Sequence, residues 1–131
     1  MKFIAFFALF CASIVLAQAP AKTPVHFDCS CDDNIGARYA TAVRDLIAVS
    51  PRYQSTGAFK EGSGADTKWN YGIRVTSINP FNDEGNSSTA LAVVFTYGEL
   101  YLDSYIQVCG VAKIQSCAAT TIAMLDKRVS N

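Results

Sequence analysis

The stretch that most constrains this chain is Ser88–Val111, STALAVVFTYGELYLDSYIQVCGV. Two runs of β-branched and aromatic residues flank Tyr97-Gly98-Glu99-Leu100, the pattern of two antiparallel strands joined by a tight turn. In the first run Leu91, Val93, Phe95 and Tyr97 alternate with Ala90, Ala92, Val94 and Thr96. Both sets are largely apolar, as in a central strand. The second run separates its two sides more cleanly. Leu102, Ile106 and Val108 fall on one side, and Tyr101, Asp103, Tyr105 and Gln107 on the other. The alternation predicts that the aliphatic set enters the core and that the tyrosine, aspartate and glutamine set faces away.

A second hydrophobic signal lies at the start. Met1-Lys2 gives a short basic opening, Phe3 to Leu16 is an apolar run, and Ala17-Gln18-Ala19 supplies small residues. This pattern is that of a secretory signal peptide over residues 1–17, too short for a comfortable membrane span. Cleavage after Ala17 avoids placing Pro20 directly after the cut. Cys11 lacks the small residue before it that a lipid anchor requires. The expected organisation is a signal peptide at 1–17, a flexible leader at 18–24 and one domain at 25–131. The expected location is outside the cell or in the periplasm, with no membrane span after cleavage.

Cysteine usage agrees with export. Beyond the apolar run the chain has Cys29, Cys31, Cys109 and Cys117. An even number of cysteines in an exported chain favours disulfides. Cys109 ends a strand and Cys117 falls in the first turns of the helix after it, so a bridge between them staples that connection. Cys29 and Cys31, if extended, point to one side near the far limit of bridging distance. They form a second bridge or a free pair.

Eleven basic and eleven acidic residues give a formal net charge of zero. The cations are scattered, which disfavours a phosphate-binding, nucleic-acid-directed surface.

Helical spacing appears twice. Ile35, Tyr39, Val43, Leu46 and Ile47 make one apolar stripe, preceded by Asp32 and Asp33 as candidate caps and closed by Ser50-Pro51. Ile114, Ala118, Ile122, Leu125 and Val129 make another, with Lys127 and Arg128 in the last turn, where cations are favoured. Strands are expected from Arg52 to Phe59 and from Trp69 to Asn79, separated by polar loops, with a short strand beginning at Val25-His26-Phe27. The fold class is therefore α+β. It is a two-layer sandwich, an antiparallel four-stranded meander with the short N-terminal strand in addition and both helices packed on one face.

The densest group of metal- and redox-capable side chains is Asp28-Cys29-Ser30-Cys31-Asp32-Asp33, with His26 just upstream. It is either a disulfide followed by capping aspartates or a small thiol-redox or metal site. His26 is the single histidine, and no G-x-S-x-G or papain-like cysteine context accompanies it. Asn82-Asp83-Glu84-Gly85-Asn86 lacks EF-hand spacing and reads as a polar turn. Asn86-Ser87-Ser88 is a glycosylation sequon if the source is eukaryotic. Gly62-Ser63-Gly64 has no strand-to-helix context and is no nucleotide motif.

What remains is a surface. Tyr101, Asp103 and Tyr105, with Arg74 from the strand before the hairpin, combine aromatic rings with both charge signs on the expected outer side of the sheet. The sequence therefore points to a non-enzymatic, cofactor-free domain that binds a protein, peptide or glycan. The competing class is a small redox or metal protein built on Cys29, Cys31 and His26.

Overall fold

The computed structural model describes residues 20–57, 70–79 and 87–130. The predicted signal peptide, both polar loops and the Asn86 sequon lie outside the described residues, apart from Ser87 at the end of the second loop. The elements run β1 (Thr23–Ser30), α1 (Asn34–Val49), β2 (Tyr53–Ser55), β3 (Tyr71–Ile78), β4 (Ser88–Tyr97), β5 (Leu100–Gly110) and α2 (Ile114–Val129). A single 3-10 turn, Val111–Lys113, leads into α2. The class is α+β, with both helices on one side of a five-stranded sheet.

The strand order corrects the expected meander. The sheet runs β2-β1-β3-β4-β5, and only β3, β4 and β5 are consecutive antiparallel neighbours. β1 lies between β2 and β3 and is parallel to both. The reason is the helix between β1 and β2. A strand followed by a sixteen-residue helix and another strand closes as a parallel crossover unit rather than a hairpin. β1 is also no short appendage: its eight residues begin at Thr23, inside the expected leader, and pair with β3 from Val25–Tyr71 to Ser30–Thr76.

Alternation sets which side chains meet the helices. Val25 on β1, Ile73 and Val75 on β3, and Leu91, Val93 and Phe95 on β4 are all buried. Ile35, Tyr39, Val43 and Ile47 of α1 cover them, together with Ile114, Ala118 and Leu125 of α2. Asp33 is the N-cap of α1, and its carboxylate accepts a hydrogen bond from the Gly36 amide at 2.8 Å. The Thr89 hydroxyl, on the neighbouring face of β4, donates to the same carboxylate at 3.1 Å. The start of α1 is therefore tied to the sheet by a buried acid. At the other end, the Tyr53 hydroxyl donates to Asp126 of α2, which also pairs with Arg52 at 2.8 Å.

The β4–β5 turn places Gly98 at φ 58°, a left-handed conformation that suits glycine. One glycine in a strand has a packing reason. A Cβ on Gly72 would lie 2.3 Å from the Thr96 hydroxyl across the β3–β4 ladder, so no larger residue fits without displacing Thr96.

The cysteines pair as Cys29–Cys31 and Cys109–Cys117, with Cα separations of 5.3 and 6.1 Å. Cys109 is fully buried and faces α2, where Cys117 sits one turn into the helix.

Candidate functional site

The orientation of β5 decides which surface is available. Because Cys109 must face Cys117, the residues that share its side of the strand also face α2. The Tyr105 hydroxyl is 2.6 Å from the Thr121 hydroxyl, and the Tyr39 hydroxyl of α1 meets the same oxygen at 2.6 Å. Gln107 donates to the Cys117 carbonyl at 3.4 Å, and Asp103 is ion-paired with Arg128. Burial pushes the Tyr39 and Tyr105 phenols above their ordinary pKa, despite the hydrogen bonds to Thr121. Asp103, Tyr105 and Gln107 thus fasten α2 to the sheet. The expectation that they form an outer binding face is corrected: an aromatic or amide can cross the layer boundary when its polar end finds a partner on the helix.

Tyr101 behaves differently. β4 and β5 change register between Phe95 and Thr96, where Phe95 faces Asp103 but Thr96 faces Tyr101. Leu102 is the extra residue of a bulge, and it reverses the alternation. Tyr101 is exposed on the far side of the sheet, its hydroxyl 2.9 Å from that of Ser104. Arg74 is exposed on the same side, next to Asp28 in the β1–β3 register. Of the four residues expected to act together, the structure keeps Tyr101 and Arg74 on the open side and places Asp103 and Tyr105 under α2.

The open side is instead dominated by aliphatic residues. Ile106 is 77% exposed, Val108 71% and Ile78 56%. Ladder pairing places Ile78 beside Ala90, Ala90 beside Val108, and Ala92 beside Ile106, so these side chains form one patch across three strands. Val94 continues it toward Arg74 and Ser104. Around this patch lie Thr76, Arg74, Ser104 and Tyr101. β5 is also the long edge of the sheet, whereas the opposite edge strand, β2, has three residues.

The cysteine-rich cluster at the end of β1 resolves differently. Cys29 and Cys31 are bonded to each other and packed against the core, and Asp33 is committed to the helix cap. Burial alone would raise the Asp33 pKa, but the Ser77 and Thr89 hydroxyls and the Gly36 and Ile35 amides favour the ionised form and hold it below the usual carboxylate value. Three aspartates beside the cysteine pair disfavour a thiolate. Among the described residues, no group of three or more His, Cys, Asp and Glu side chains is placed to hold a metal ion.

His26 lines a cavity of about 410 Å3 with Phe27, Asp28, Arg44, Ile47, Ser55 and Gly57. Its Nδ1 donates to the Gly57 carbonyl at 3.0 Å, and the Arg44 guanidinium lies 5.2 Å above the Phe27 ring. This arrangement holds the end of β2 against β1.

No family model matches the chain, and no curated protein does.

Proposed function

We propose that this is an exported, non-enzymatic binding domain whose working surface is the open side of the sheet. The observation that carries the reading is the cluster of Ile78, Ile106 and Val108, exposed by more than half on a sheet side that neither α1 nor α2 covers. Leaving such residues in water costs free energy that a partner recovers by covering them, at about 25 cal/mol per Å2. The two cysteine pairs suit an oxidising compartment. No helix among the described residues is long and apolar enough to cross a membrane. The aliphatic patch favours a protein surface over a glycan, because stacking on sugar rings needs more than Tyr101, the one aromatic on that side among the described residues.

The test is photo-crosslinking in the producing cells. A benzophenone side chain at position 106 should yield a discrete adduct. The same group at position 49, on the exposed surface of α1, should not. Absence of any adduct from position 106 sinks the reading.

A further inference from the structure

We infer that the occupant of the open side is a second copy of this chain, stacked sheet against sheet about a two-fold axis. This rests on the reading of that side as the working surface and names its partner. Three observations carry it.

The first is area. Taking the exposures of Ile78, Ile106 and Val108 with the neighbouring Ala90, Ala92 and Val94, the patch offers on the order of 400 Å2 of apolar surface. The rim of Arg74, Thr76, Ser104 and Tyr101 brings the side to on the order of 800 Å2, roughly what one partner gives to a standard interface.

The second is charge. The open side carries Asp28 and Arg74 as register neighbours, one of each sign. Two copies therefore meet without like-charge repulsion, and a two-fold axis lets each cation approach the other copy's anion.

The third is shape and composition. A sheet side lined by Ala, Val and Ile offers a low, ridged surface that pairs with its own image at the usual spacing of about 10 Å between packed sheets. An aliphatic centre with its charges at the rim is the composition of homodimer contacts rather than of transient ones. Self-association also needs no second complementary patch, since a two-fold interface uses one patch twice.

The exported protein, oxidised and intact, should sediment with a concentration-dependent mass that rises to twice that of the chain. Hydroxyl-radical footprinting should show Ile106 and Val108 protected at high concentration and reactive at low concentration. The Ile106→Lys/Val108→Lys double variant should associate at least about tenfold more weakly. Ile78→Lys, on a different strand, should weaken it in the same direction, and Val49→Lys on α1 should leave it unchanged. All four sites are exposed in the single chain, so circular dichroism should be unaltered.

A dimer that persists in the double variant overturns the inference. A chain monomeric at every concentration, with Ile106 and Val108 reactive, overturns the second-copy partner but leaves the open side as a surface for another protein. A monomer in which both residues stay protected overturns the surface reading as well, because the chain's own residues then cover the patch.

Discussion

Tyr101 and Tyr105 lie on one strand, four residues apart, yet their rings project from opposite sides of the sheet. Simple alternation puts them on the same side, and the bulge at Leu102 separates them. Tyr105 reaches Thr121 beneath α2 and stacks near Phe95 with ring centroids 6.0 Å apart, while Tyr101 stands in solvent. The two should therefore respond differently to the same substitution. Tyr101→Ser should change stability by less than about 0.5 kcal/mol, as exposed substitutions do. Tyr105→Phe should cost about 1 kcal/mol for the lost hydrogen bond. Tyr105→Ser should cost about 3 kcal/mol, because most of a packed ring disappears. Urea unfolding measures all three, and equal costs at the two positions would contradict the bulge.

Alkaline pH should probe the same layer. Burial raises the pKa of Tyr39, Tyr53 and Tyr105 in the folded chain, with the Asp126 carboxylate adding to the effect at Tyr53. A raised phenol pKa means that the unfolded state releases its protons first. The stabilisation is then fully present below about pH 10, the ordinary tyrosine value, and is lost as pH rises above it. Phenolate absorbance should show these three groups ionising together with loss of structure rather than before it. Thr121→Val should lower the midpoint by removing the hydroxyl shared by Tyr39 and Tyr105.

Asp33 gives the acid counterpart. Its carboxylate is held below the usual range, so its stabilisation is present above the unfolded value of 3.8 and is lost as pH falls through the lower folded value. Asp33→Ala should cost about 1–2 kcal/mol near neutral pH, through loss of the α1 cap. Asp33→Asn keeps a capping oxygen. It should cost less near neutral pH and flatten the decline in stability below about pH 4. An unchanged acid profile in Asp33→Asn would show that the carboxylate does not govern this transition.

Much of the layer architecture was legible because periodicity reports burial directly. The stripes of α1 and α2 and the central position of Phe95 follow from spacing alone, and an aspartate cap on α1 from the Asp32-Asp33 pair, of which the structure uses Asp33. The strand order was less accessible, since alternation says which side a residue takes but not which neighbour a strand selects. The clue was the strand–helix–strand run from Thr23 to Ser55, which closes in parallel. Alternation alone assigns the sides of β5 the wrong way round, because its polar residues do not face water. Hydrogen bonds to Thr121 and Cys117 and the ion pair with Arg128 satisfy them under a helix instead. The sequence held the means to find this. Cys109 shares its side with Gln107, Tyr105 and Asp103, so the expected bridge from Cys109 to the second helix already required that side to face the helix.

The Cys109–Cys117 pair therefore fixes both the connection and the orientation of β5, which makes it the most informative bond to break. The two cysteines are eight residues apart, and closing so short a loop contributes about 2–3 kcal/mol by the loop-entropy estimate. Cys109→Ala/Cys117→Ala should lower stability by about that amount. The chain should remain folded, since Tyr105, Gln107 and Asp103 still hold α2 against the sheet. In the unaltered protein, peptide mapping without reduction should recover Cys109 and Cys117 in one linked species and Cys29 with Cys31 in another. Cys29 joined to Cys117 would be incompatible with this fold, because α2 could not then start beneath the end of β5. A folded double variant that keeps the Cys29–Cys31 bridge, and in which Tyr105→Phe still costs stability as it does in the unaltered protein, would confirm that orientation depends on the buried hydroxyl network as well as on the bond.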